Sequence, residues 1–217
     1  MIKKSKLCFL LIFMMCDLSF SSVVSLNYSP LSILYFDKDE TSGIIRTDSY
    51  EKDKDDKLRY LYFSRISLSF YREPEPITGF NNRYSHGGIF FDLLHKKMEI
   101  EPVNIKYFED GGSAHALIGI LGLSYKIFAP DAFFSEFGFG LSMTALCSNN
   151  INRSVFSENI SPVFKFGVGY RVSTGGNNFI DLGVDMTTPI TSYFKVEGDG
   201  YLQFISGGIY PYIGISF

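Results

Sequence analysis

Residues 201–217 read YLQFISGGIYPYIGISF, and the alternation in this stretch decides the fold. Ile205, Gly207, Ile209, Pro211, Ile213, Ile215 and Phe217 fall on one face of an extended chain. Phe204, Ser206, Gly208, Tyr210, Tyr212, Gly214 and Ser216 fall on the other. Side chains alternate across a strand with a period of two, so the first face suits an apolar medium while the second is small or amphipathic. That medium is either a protein core or a lipid bilayer.

The opposite end of the chain narrows the choice. Lys3, Lys4 and Lys6 precede an apolar run from Leu7 to Met15, and small residues follow at Ser19, Ser21, Ser22 and Ser25. This is the layout of a secretory leader over 1–25, with cleavage expected after Ser21 or Ser25. The apolar run falls short of the roughly 20 residues of a spanning helix. Cys16 suggests lipidation, but Phe13, Met14 and Met15 before it are bulky where such a site wants small residues.

Loss of Lys3, Lys4, Lys6 and Asp17 with the leader takes the formal charge from −3 to about −5, which argues against nucleic acid as a partner. Cys8 and Cys16 leave as well, so Cys147 stands alone and no intrachain disulfide is expected. Export without disulfides points to a bacterial envelope. The sequons at Asn152 and Asn159 then read as chance matches. The chain is 46% hydrophobic, yet no later stretch is a run of 18 apolar residues. A membrane protein of this kind must therefore cross as a closed β-barrel.

Alternation recurs along the chain. It predicts strands over 59–71, 84–94, 97–108, 116–128, 132–146, 160–172 and 179–190, with 201–217 as the eighth. Pro102 and Val103 read as a bulge, and no helical period competes. Glycine and proline punctuate the joins at 110–112, 129–131 and 174–176. The fold class is all-β, an antiparallel up-and-down transmembrane β-barrel of about eight strands, with ten as the alternative. The domains follow as a leader over 1–25, an N-terminal extension or extra strand with a charged loop over 26–58, and the barrel over 59–217. Leu31 to Phe36 is the candidate extra strand. With Phe217 at the periplasmic side, turns near His95, 129–131 and 173–176 fall on that side. The connections 72–83, 109–113, 147–159 and 191–200 fall outside.

Arg65, Lys126, Glu136, Lys165, Arg171, Asp181 and Asp185 all sit opposite the aliphatic and aromatic rows. A soluble barrel such as a lipocalin puts its apolar face inward. Bulk decides between the two, because the charged faces also carry Gly122, Gly138, Gly140, Gly167, Gly169, Gly183, Gly208 and Gly214. Glycine suits a crowded interior. The charges therefore line the lumen, where both signs are expected to pair and plug an eight-stranded barrel. Tyr107, Phe128, Phe133, Tyr170, Phe179, Tyr193 and Tyr201 near strand ends are placed as interfacial girdles would be.

The leader, the alternation from Arg59 onward and the terminal run Ile213-Gly214-Ile215-Ser216-Phe217 resemble the small outer-membrane β-barrel proteins of Gram-negative bacteria, broadly the OmpX, OmpW and OmpA-domain kind. The resemblance implies residence in the bacterial outer membrane and contact with its lipid. It also implies recognition of Phe217 by the barrel-assembly machinery and outer loops available to an extracellular partner. Pro102, Pro162 and Pro211 depart from the pattern, since a strand proline lacks a ladder N–H and a closed barrel offers no free edge. The chain also has no Trp.

Catalytic signals are sparse. Ser85 and His86 are the ingredients of an acyl hydrolase or transferase, and outer-membrane enzymes that modify lipid A use such residues. Strand neighbours point to opposite faces, however, and the local motifs of those enzymes are missing, so no enzyme activity is expected. His86, His95 and His115 lack metal-ligand spacing, and the paired glycines lack the strand-to-helix context of a nucleotide loop. Neither metal nor cofactor is expected. The leading expectation is a structural or surface-interaction role. The alternatives are a narrow, porin-like pore for small hydrophobic molecules, a lipid A-modifying acyl hydrolase or transferase, and a soluble lipocalin-like carrier.

Overall fold

The computed structural model describes residues 23–30, 63–78, 83–100, 112–129, 132–148, 153–195 and 201–217. They form β1 (Val23–Ser29), β2 (Ser64–Tyr71), β3 (Glu75–Pro76), β4 (Tyr84–Ile100), β5 (Gly112–Phe128), β6 (Phe133–Ser148), β7 (Arg153–Phe156), β8 (Ser161–Gly175), β9 (Asn178–Lys195) and β10 (Tyr201–Ser216). The sheet runs β2-β1-β10-β9-β8-β6-β5-β4, and β2 pairs with β4 to close it. Every pairing is antiparallel. The result is a closed eight-stranded barrel, with β3 and β7 as short additions on β4 and β6. Its seam joins the first and last strands. The Val24 N–H donates to the Phe217 carbonyl at 2.8 Å, and the Phe217 N–H donates to the Val24 carbonyl at 3.0 Å.

The strand number agrees with the sequence reading, but the strands are distributed differently. The barrel begins at Val23, upstream of Arg59, and the candidate strand Leu31 to Phe36 lies outside the described residues. The two strands expected at 84–94 and 97–108 begin as one, because β4 runs without a break through His95 to Ile100. No turn exists at His95, and the expected bulge at Pro102 and Val103 lies outside the described residues. One missed strand and one divided strand cancel in the count. They also reverse one connection. Val23 pairs with Tyr71, so 72–83 leaves the barrel at the Phe217 end and not at the opposite one. The connections 129–132 and 176–177 share that end. Those at 30–63, 101–111, 149–160 and 196–200 lie at the other.

The prolines find their places where ladders stop. The β1–β10 register ends at Tyr28 with Ile213, two residues short of Pro211. The Pro211 carbonyl points to that side and accepts a 2.6 Å hydrogen bond from Ser29 Oγ. Carbonyl and nitrogen of one strand residue share a side, so the missing N–H of Pro211 costs no ladder bond. Pro162 likewise precedes the β8–β9 ladder, which starts at Lys165 with Thr187. Pro189 falls at the register shift between Ser206 and Gly208, opposite Gly207, whose φ is +153°. A bulge is where a central strand accepts such residues.

Lumen glycines let the wall come close to its filling. Gly122 and Gly140 are cross-strand partners. A Cβ on Gly122 would stand 2.6 Å from both the Gly140 Cα and a ring carbon of Phe90, and closer still to the Phe139 carbonyl. No rotamer relieves a clash of the Cβ itself. Gly122→Ala is expected to destabilise the barrel by about 1–3 kcal/mol, the usual range for overpacking. A urea titration of the folded protein in lipid vesicles checks this, with an unchanged midpoint as the contrary result.

Candidate functional site

Alternation along the strands turns one residue in two toward the barrel axis. On β2 this aims Arg65 and Tyr71 inward, on β4 Asp92, on β5 Lys126 and on β6 Glu136. On β8 it aims Lys165 and Arg171, on β9 Asp181 and Asp185, and on β10 Tyr210, Tyr212 and Ser216. All seven charged residues read from the sequence face the lumen, and they meet in two layers.

The central layer is organised by Asp185. Its Oδ2 accepts from Arg65 Nη1 at 2.7 Å and lies 3.5 Å from Lys165 Nζ. Arg65 Nη2 also reaches Asp92 at 2.7 Å, and Lys165 reaches Glu136 at 2.9 Å. These last two are close ion pairs without hydrogen-bond alignment. The second layer lies nearer the Phe217 end. There Arg171 grips Asp181 with two bonds of 2.7 Å, and Lys126 adds a third at 3.1 Å. Ser216 Oγ stands 2.9 Å from the same carboxylate and 2.9 Å from Ser25 Oγ, which ties this layer to the seam.

Arg65, Lys126, Lys165 and Arg171 balance Asp92, Glu136, Asp181 and Asp185. Aromatic faces fill the space between the charges. Lys126 Nζ lies 3.8 Å from the centre of the Phe134 ring, Lys165 Nζ 4.7 Å from Phe90, and Arg171 Cζ 4.5 Å from Phe128. Such cation–π contacts add to the ion pairs where water is thin. Asp92 is the member that sequence reasoning missed. Its signal was an acidic residue held between Phe91 and Leu93, both on the outer face.

Toward the end opposite Phe217 the filling changes character. Leu94, Ile118, Ile190, Phe194 and Phe204 pack together there as an apolar cluster. The outer wall changes in the opposite sense, carrying Lys97 and Lys195 at that height and large apolar side chains below. Leu123 is 64% exposed, Phe133 59%, Phe164 58% and Ile213 54%. A wall of this kind surrounding a lumen of buried charges is the reverse of a soluble carrier. The protein is a transmembrane β-barrel. Strands of 15 to 18 residues over β4–β6 and β8–β10 exceed the 9–11 or so needed to span, so the barrel wall continues past the apolar band.

No protein-family model and no curated protein matches the chain by sequence. Among solved structures, this membrane barrel is similar to Ail, the attachment invasion locus protein of Yersinia pestis. The TM-score is 0.39 and the identity 14%, over 90% of this chain and 97% of that one.

The remaining candidates divide. His86 points into the lumen of the barrel, where its Nδ1–H donates to the Arg72 carbonyl at 2.9 Å and its ring meets Tyr71 and Phe128 edge-on. Ser85 precedes it in β4, so the two do not share a face. His95 and His115, far apart in sequence, come together on the outer wall with ring nitrogens 2.7 Å apart. The β4–β5 pairing creates that contact, which spacing along the chain concealed.

Proposed function

We propose that the protein resides in a bacterial outer membrane, reached through a cleaved leader, and serves membrane structure or surface contact without catalysing a reaction. Its lumen is plugged by the charged network. The observation that carries this reading is the Arg65–Asp185–Lys165 group, held across the barrel axis and flanked by Asp92 and Glu136. A barrel of this size has room for little beyond its own side chains. Moving such groups aside to pass a solute would uncover charges that cost several kcal/mol each when unpaired.

Phe217 ends the seam strand and is the residue we assign to recognition by the barrel-assembly machinery. Surface contact would then fall to the connections 30–63, 101–111, 149–160 and 196–200, with an extracellular partner as their counterpart. Planar-bilayer recording tests the plug. The reconstituted protein is expected to leave the membrane at its bare conductance, and sustained unitary steps would favour a pore. Retained lipid composition after Ser85→Ala and His86→Ala substitution is expected as well, since neither residue acts on a lipid ester in this reading.

A further inference from the structure

The outer wall beyond the apolar band brings three metal-binding residue types onto adjacent strands. His115 of β5 is the direct cross-strand partner of Cys147 of β6. His95 of β4 lies diagonal to His115, two positions from its partner Lys97. Each of the three alternates with buried neighbours, Leu94 and Lys96, Ala114 and Ala116, Leu146 and Ser148, so all three face outward. Directly opposed strand residues have Cβ atoms about 4.5–5.5 Å apart, within reach of shared ligation.

The two imidazoles already point at a common place. Their rings meet edge to edge, with centroids 4.9 Å apart and an interplanar angle of 20°, and Nε2 of His95 lies 2.7 Å from Nδ1 of His115. A hydrogen bond between two ring nitrogens needs one of them as a lone-pair acceptor, so at least one imidazole is neutral. A neutral imidazole, once released from this hydrogen bond, offers the lone pair that binds a metal, whereas a phosphate would call for two donors. In tetrahedral coordination with Zn–N near 2.0–2.1 Å, two ligand nitrogens stand about 3.3 Å apart. The pair must open by roughly 0.6 Å on that geometry, a small rotation of two half-exposed side chains.

We propose that His95, His115 and Cys147 form a binding site for a borderline divalent cation such as Zn2+, with solvent completing the coordination. Imidazole and thiolate are the donor set such ions favour. Among the described residues no group of three or more His, Cys, Asp and Glu side chains is placed so that it could hold a metal ion as it stands. The site therefore assembles by side-chain rotation on a rigid sheet, and Cys147 gives up its proton on binding. Exposed Lys97 borders the site and can turn to solvent.

The test uses the tag-free mature chain, without the leader and its Cys8 and Cys16, folded in detergent and titrated with Co2+ as the spectroscopic stand-in for Zn2+. Expected are d–d absorption saturating at about one ion per chain and a thiolate-to-cobalt charge-transfer band in the near ultraviolet. His95→Ala with His115→Ala should weaken binding at least about tenfold. Cys147→Ser should remove the charge-transfer band while the d–d bands persist. Heat-modifiable gel mobility shows that each variant is folded. Binding unchanged in the double-histidine variant, or a wild-type spectrum without the thiolate band, would overturn the assignment.

Discussion

Asp185→Ala is expected to be the most damaging single change, lowering the stability of the folded barrel by about 3–5 kcal/mol. The carboxylate is fully buried and shared by Arg65 at 2.7 Å and Lys165 at 3.5 Å. Removing it leaves two buried cations with less than their complement of negative charge, and Asp92 and Glu136 are already engaged, one with each. Breaking such a group costs far more than never having built it, because the ions left behind cannot recover their hydration. Urea titration in lipid vesicles, with the folded and unfolded forms separated by mobility, gives the measurement. An unchanged midpoint would mean that the lumen is wet enough to screen Lys165 and Arg65 without a partner.

Leu123→Arg distinguishes a lipid-facing wall from a wet one by the size of its effect. Leu123 is the most exposed large apolar residue described on the wall, and it sits beside Phe139, midway along the β6 apolar row that starts at Phe133. An arginine at the bilayer midplane costs a transmembrane barrel about 2–4 kcal/mol. The same substitution on a water-exposed strand would fall within about 0.5 kcal/mol of neutral. The expected result is a lowered urea midpoint in vesicles, with a markedly smaller loss for Lys97→Arg beyond the apolar band.

Much of this was legible in alternation, and the division of β4 at His95 has a physical cause. In the part of β4 nearest the Phe217 end, Ile89, Phe91 and Leu93 face outward. Further along, buried Leu94 joins the inward apolar cluster while His95 and Lys97 face out. The apolar phase of the strand thus inverts where the surrounding medium changes from lipid to water. In sequence that inversion looks like a turn, which is why β4 was divided at His95. In sequence, Met98 and Ile100 alternate with Glu99 and Glu101, which reads as the start of the strand expected over 97–108. β1 was lost for another reason. Val24, Leu26 and Tyr28 alternate cleanly with Ser25, Asn27 and Ser29, but the stretch abuts the leader, and a cleavage point read after Ser25 cuts through it.

The seven charged residues fall in strands of a single phase, and for all but Arg65, whose strand has none, a glycine on the same face marks the crowded side. Gly167 shows why that signal works, since a Cβ there would run into the Asp185 carboxylate. Asp92 was hidden by the same strand whose phase inverts. The histidine pair was hidden because its two members belong to different strands and meet only through register, which local pattern does not carry.

The central claim is a closed barrel whose apolar wall faces lipid, and the mobility of unheated against boiled protein on a detergent gel tests it most directly. The account predicts that the chain folds only in detergent or lipid, and that the unheated form then runs as a separate, compact band that disappears on boiling. Identical mobility before and after heating, from protein that folds in buffer without detergent, would contradict it.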